Sequence, residues 1–222
     1  MLQQRISRGH KMADVPSDLV AAISEGRGVL FLGAGAVRGA RNDKAEEIPL
    51  TEDLAKELID LYLGPEYAGF DFRTAYELSC TMRDVLAVQG YARDRLSAFH
   101  PADYHLLIPT FAWAGLATTN YDLVVERAYK RSPHRIQNLI PVTRDGDGSA
   151  QRLDRKGVFY VKLHGCITRA DEVHPPLIAS TEQLIAFREG RQGQFTTFLE
   201  WAKTKTIVFA GYSFKIRTSA SC

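Results

Sequence analysis

The sequence predicts an α/β domain built on a mainly parallel sheet with helices on both faces, and three observations carry that reading. Short apolar runs alternate with amphipathic segments along most of the 222 residues. The runs are unbroken rather than alternating, as expected of strands buried on both faces under helices. Each run ends in small or polar residues, at the position where parallel sheets of this class open their ligand crevices.

Residues 1 to 13 are polar and unpatterned and read as a flexible arm. The segment PSDLVAAISEGRG follows, with Ser17 as candidate cap, Leu19, Val20 and Ile23 on one side, and Gly26 as a stop; it reads as a short amphipathic helix. Val29 to Leu32 are four consecutive large apolar residues, a buried strand. After a charged stretch, PLTEDLAKELIDLYLG resumes helical periodicity. Thr51 can cap it, Glu52 and Asp53 suit the positive end of the helix dipole, and Leu54, Leu58 and Leu61 form its stripe.

Residues of about 50 to 110 as a whole read as a helical insertion. WAGLATTN contains a strand over Gly115 to Thr118, followed by the helix candidate DLVVERAYK, a weaker strand at LIPVT, and a loop, TRDGDGSA, rich in turn residues. GVFYVKLHG is a further strand and turn. STEQLIAFREG, capped by Ser180 or Thr181, and GQFTTFLEWAKTK are two helices, and TIVFAGYS is the last strand. Strands and helices in alternation make the domain, over 14 to 222, Rossmann-like.

Composition narrows the function. With 28 Lys+Arg against 26 Asp+Glu the net charge is +2, which offers no field for holding a polyanion, so no direct nucleic-acid partner is expected. The first residues lack a secretory apolar core, and the longest apolar stretch, Leu106 to Ala117, is interrupted by Pro109 and is too short to span a bilayer. A cytoplasmic protein without a membrane partner is therefore expected. Three scattered cysteines, Cys80, Cys166 and Cys222, without any C-x-x-C, exclude a disulfide framework and a tetrathiolate zinc site. No two histidines sit at helical ligand spacing, so no metal is expected.

Four strand ends carry the candidate chemistry. Gly33-Ala34-Gly35-Ala36 puts small residues where a strand turns; this either lets backbone N–H groups approach a pyrophosphate or is simply a tight turn. In Thr119-Asn120-Tyr121-Asp122, either polar residue can cap the following helix or face a ligand. His164, before Gly165, ends an apolar strand where an imidazole can exchange protons; His10, His100, His105, His134 and His174 read as structural or surface residues. Gly211-Tyr212-Ser213 is the fourth. A P-loop is absent, which argues against ATP hydrolysis by that machinery.

F-L-G-A-G-A at 31 to 36, T-N-Y-D at 119 to 122, K-L-H-G at 162 to 165 and G-Y-S at 211 to 213 come in the order and approximate spacing of the sirtuin family. The chain resembles in particular the zinc-less, sirtuin-like NAD+ hydrolases of bacterial anti-phage defence. The resemblance implies that NAD+ is the substrate, that Gly33 and the backbone of Ala34 and Gly35 cradle its pyrophosphate, and that Asn120 orients the nicotinamide ribose and the attacking water. It further implies that Asp122 contacts the carboxamide, that His164 is a general base, and that Gly211 and Ser213 line the adenosine half. Such relatives act with an Argonaute-like protein, with a ring ATPase, or as homo-oligomers, which makes these the partners implied.

The departures shift the reaction expected. Deacylating sirtuins hold zinc by two C-x-x-C pairs, have glutamine where Thr119 stands and isoleucine where Tyr121 stands, and continue the glycine turn into a serine, here Val37. Without a zinc module the acyl-peptide groove is incomplete, which favours hydrolysis over deacylation. A catalytically silent module that binds NAD+ or ADP-ribose is the remaining alternative. Only FKIRTSASC follows the last motif, so the C-terminal end is expected to lack a helix and a strand.

Overall fold

The structure is a computed structural model that describes residues 15–149, 151, 154–174, 176–179 and 189–212. Helix α1, Ser17–Ser24, leads into β1, Gly28–Leu32. The chain is then helical, with α2 (Thr51–Leu58), α3 (Phe72–Met82) and α4 (Val85–Leu96), until β2, Gly115–Thr118. There follow α5 (Val124–Arg131), β3 (Asn138–Val142), β4 (Gly157–Lys162), α6 (Gln192–Thr204) and β5 (Thr206–Ala210). The helix expected over 180 to 190 falls largely, and Ser213 wholly, outside the described residues.

The five strands form one sheet in the order β3-β4-β2-β1-β5, and every neighbouring pair is parallel. This is the α/β, Rossmann-like sheet expected from the unbroken apolar runs. β1 lies inside the sheet, between β2 and β5, and all five of its residues are buried. Successive side chains serve opposite faces. Leu30 and Leu32 pack with Leu116, Val158, Tyr160, Trp113 and the α5 residues Val125 and Tyr129. Phe31, Ala117 and Val161 pack on the other face against Phe195, Phe198 and Trp201 of α6.

Two helix details differ from the sequence reading. α1 and α2 begin at Ser17 and Thr51, so these residues occupy the first helical position, and the residues before them, Pro16 and Leu50, stand at the caps. At α2 the carboxylate of Asp53 accepts the backbone N–H of the cap residue Leu50 at 2.9 Å, the return half of a capping box. Leu61 is 54% exposed, because the helix widens into a π turn at Ile59–Leu63 and rotates its stripe; Ile59 is buried in its place.

The register makes the strand ends level. Leu32 is paired with both Thr118 and Ala210, and Thr118 with Lys162. The residues that follow them, Gly33, Asn120, His164 and Gly211, therefore stand on one rim. β1 has β2 on one side and β5, reached by a long return of the chain, on the other. That reversal of direction is where open sheets of this kind form a crevice.

The turns after β1 and β5 are interlocked. Gly33 N–H donates to Ala210 O at 2.9 Å and Gly35 N–H to Gly211 O at 2.8 Å. Gly211 has φ +66°, and a Cβ there would lie 1.9 Å from the backbone nitrogen of Ala36. Gly211→Ala is therefore expected to lower stability by about 2 kcal/mol or more and to part the β1 and β5 turns. Chemical denaturation checks the first effect, and hydrogen exchange at the Gly33 and Gly35 amides checks the second.

Candidate active site on the strand-end rim

Thr118, fully buried at the end of β2, joins the first two clusters. Its hydroxyl donates to Leu32 O at 2.8 Å and accepts the Asn120 N–H at 2.9 Å. The Asn120 side chain donates from Nδ2 to Gly33 O at 3.0 Å, which fixes the orientation of the carboxamide. Oδ1 is left as the acceptor, able to orient a hydroxyl or a water. Asn120 thus stands against the glycine turn of β1, and the two motifs form one surface.

The glycine turn is held by its neighbours. Gly35 N–H is engaged by Gly211 O, and Ala36 N–H by Gly33 O at 2.9 Å. Ala36 O meets His105 Nε2 at 2.8 Å, while His105 Nδ1 accepts the Ala102 N–H at 2.9 Å. Those two contacts define the tautomer, with the proton on Nε2. Burial lowers the pKa of His105, against the opposing pull of the Ala36 carbonyl. It is a structural histidine that buttresses the turn.

Asp122 is 5% exposed and stands one residue before the cap, Leu123; its Oδ1 accepts the N–H of Val124, the first residue of α5, at 2.9 Å. The loop carrying Asn120 and Asp122 is tied to β4 by a side chain that the sequence reading passed over. Lys162 is fully buried; its Nζ donates to the carbonyls of Tyr121 and Asp122 and to Glu126 Oε1 at 3.0 Å. Burial opposes the Lys162 charge, but the Glu126 carboxylate, together with Tyr160, Cys166 and Asp122, holds the ammonium well above its ordinary pKa. Burial also pushes Glu126 up, against the pull of Lys162. In the K-L-H-G motif, then, the lysine secures the asparagine loop and the histidine stands at the level of the strand ends.

His164 follows Leu163, whose N–H continues the sheet to Thr118 O at 2.9 Å. The turn closes with Gly165 N–H on Lys162 O at 3.1 Å. Gly165 has φ +92°, and a Cβ there would lie 2.9 Å from Leu177 Cδ2 and 3.1 Å from Arg191 Nη2, so the glycine admits a guanidinium beside the histidine. Burial, then the positive charges of Arg191 and Arg73, lower the His164 pKa to about 4. His164 is a neutral imidazole at neutral pH, able to accept a proton but only weakly basic.

The buried strap of residues 176–179 runs beside this histidine. Ile178 N–H donates to His164 O at 3.2 Å. The hydroxyls of Tyr76, on α3, and Tyr121 donate to the carbonyls of Leu177 and Ile178 at 3.1 and 2.6 Å, and Leu177 N–H donates to Gln89 Oε1, on α4. The helical segment between β1 and β2 thereby reaches the site. Tyr121, at the position where deacylating sirtuins have isoleucine, is a clamp on the strap.

The rim brings together Gly33, Ala34, Gly35, Asn120, Asp122, His164 and Gly211. An open cavity of about 600 Å³ lies elsewhere, between α5, β3 and the segment after β4, where Glu126, Thr143, Asp147, Cys166 and Arg169 line it. Among the described residues no group of three or more His, Cys, Asp or Glu side chains could hold a metal ion, and no helix is long and apolar enough to cross a membrane.

No curated protein matches the chain. Residues 114–216, somewhat less than half of it, match the SIR2-like domain family. The matched stretch runs from β2 through β5 and includes Asn120, Asp122, His164 and Gly211. It is thus similar to the SIR2-like domains, and this similarity supports a sirtuin-like family and an NAD-related function for the chain.

Proposed function

We propose that the chain is an NAD+ glycohydrolase that cleaves NAD+ to nicotinamide and ADP-ribose. The observation that carries this reading is the convergence of Asn120, Asp122 and His164 with the glycine turn of β1 on one level rim of a parallel sheet. The N-glycosidic bond to nicotinamide breaks with its electron pair going to the departing ring nitrogen, which neutralises the pyridinium. Water adds to C1′ of the ribose and loses one proton. The leaving group needs no acid, so the site has to hold the ribose and place one water.

In this scheme the free Oδ1 of Asn120 orients the ribose and the water, while Nδ2 stays anchored to Gly33. Asp122 faces the carboxamide, with Oδ1 holding its place at the head of α5. Neutral His164 accepts the proton from a ribose hydroxyl or from the water. The Gly33 and Gly35 N–H groups are engaged by Ala210 O and Gly211 O, so the turn of Gly33, Ala34 and Gly35 takes the diphosphate by the close approach its small residues allow rather than through those two amides, and Gly211 and Ser213 line the adenosine half.

The strap of residues 176–179 supports hydrolysis over deacylation. It is buried and pinned beside His164 by two tyrosine hydroxyls, a setting that suits a small co-reactant such as water better than an acyl-peptide. By the family resemblance, we read the enzyme as a cytoplasmic effector that depletes NAD+ in anti-phage defence. Its regulation would then lie with an Argonaute-like protein, a ring ATPase or self-assembly.

Reaction in H₂¹⁸O with an acetylated peptide present tests the chemistry. Label on the ribose C1′ oxygen of ADP-ribose, with the peptide unchanged, is expected. Acyl-ADP-ribose together with a free lysine on the peptide would establish deacylation instead. ADP-ribose binding without turnover would establish the silent module.

A further inference from the structure

We propose that Arg191 is an oxyanion-binding residue beside His164 and that it takes a phosphate group of the nucleotide held on the rim; the nucleotide part of this rests on the NAD+ reading above. Arg191 immediately precedes α6 and is 1% exposed. Its Nη2 donates to Pro176 O, while Nε and Nη1 are buried without any acceptor. A guanidinium has five N–H donors, no acceptor and a charge that persists at neutral pH.

Other buried or half-buried cations among the described residues have acceptors for their charge, and half-buried Arg127 donates to the carbonyls of Ser97 and Phe99. Lys162 has Glu126 and two carbonyls, Arg95 has Glu57, and Arg169 has Asp147 and Glu172. Arg191 has no ion pair among the described residues. Burying an unpaired charge is among the most destabilising arrangements a fold can hold, so an anion is the expected complement.

The surroundings specify the ligand further. Tyr76 and Tyr121, whose hydroxyls act electrostatically on Arg191, already donate to Leu177 O and Ile178 O. The strap amides at 177 and 178 are engaged by Gln89 and by His164 O. What this corner leaves over is donors and positive charge, which fits an acceptor-only, anionic group. Phosphate meets that description, and arginine is well suited to it.

A bound oxyanion would also act on the reaction. Arg191 and Arg73 are the charges that depress His164. Neutralising Arg191 removes part of that effect, so the bound phosphate raises the basicity of the imidazole beside it. Substrate binding and base strength then become coupled through one side chain.

Calorimetry with ADP-ribose, adenosine and inorganic pyrophosphate, on wild type and Arg191→Gln, tests the proposal. ADP-ribose is expected to bind about tenfold or more weakly to the variant, with adenosine unchanged. NMR titration of His164 in the wild type is expected to show a higher pKa with pyrophosphate than with chloride at equal ionic strength. That second measurement decides the matter if Arg191→Gln fails to fold. Equal ADP-ribose affinity in the two proteins, or a His164 titration indifferent to pyrophosphate, overturns the anion site. Pyrophosphate binding lost in the variant while ADP-ribose binding is kept overturns the nucleotide assignment. Arg191-dependent ADP-ribose binding in a protein that releases no nicotinamide would uphold the site and count against hydrolysis alone.

Discussion

Lys162→Met is expected to destabilise the domain by about 3–5 kcal/mol and to abolish turnover of NAD+. The lysine is fully buried, and removing it leaves the Glu126 carboxylate and two loop carbonyls without their donor; breaking one side of a buried ion pair costs that order of free energy. The double variant Lys162→Met with Glu126→Leu removes the stranded carboxylate and is expected to regain most of the stability. It does not regain the tether on Tyr121 and Asp122, so kcat is expected to stay down about a hundredfold, as displacement of a positioning group by about 1 Å commonly costs. Denaturation and steady-state kinetics on both proteins separate the two effects. Recovery of kcat in step with stability would show that Lys162 serves the fold alone.

The second large effect is a pH dependence set by His164. Its pKa in the folded protein, about 4, lies below the ordinary 6.5 because of burial, Arg191 and Arg73. Tyr76 and Tyr121, which clamp the neighbouring strap, are pushed above their usual range by burial and stay neutral. Between pH 6.5 and 4 the unfolded chain carries a proton on this residue that the native state lacks, so stability rises with pH across the window. The contribution is present above 6.5 and is lost as pH falls toward 4, on the order of 3 kcal/mol in all. In activity, the acidic limb of kcat/KM is expected near pH 4 rather than near 6.5, since it reports the free enzyme. If bound phosphate neutralises Arg191, the limb of kcat lies higher. A His164→Ala protein that keeps the full acid-sensitive loss of stability would contradict the assignment.

How far the sequence could be read depended on where each interaction is made. The unbroken run Val29 to Leu32 announces a strand buried on both faces, and β1 is buried along its whole length. β2 has the expected bounds, because its end is marked locally by threonine and asparagine. Leu61 was assigned to the α2 stripe from an ideal helical period, which the π turn breaks. The glycines of the β1 turn read either as an approach for a pyrophosphate or as a tight turn, and Gly33 and Gly35 do serve the fold, since they let the β5 turn approach.

The least legible parts of the rim are those made by tertiary contact. Nothing near Lys162 in sequence says that it is buried on Glu126 and the Asn120 loop. Arg191 sits between two glycines in an exposed-looking stretch, and only packing puts it beside His164. Tyr76 lies in a helix whose own pattern gives no hint of the strap it holds. The strand-end motifs were legible because each is a contiguous turn; the residues that orient them come from up to 101 positions away, as Tyr76 does to Leu177.

The most direct test of the NAD+ reading is release of nicotinamide. Purified protein, Asn120→Ala and His164→Ala are each incubated with NAD+, and products are followed by NMR with circular dichroism as a control for folding. The account predicts nicotinamide and ADP-ribose in equal amounts from the wild type and loss of both from the two variants. Release that survives both substitutions, or none from a folded wild type that also fails to bind ADP-ribose, would contradict it.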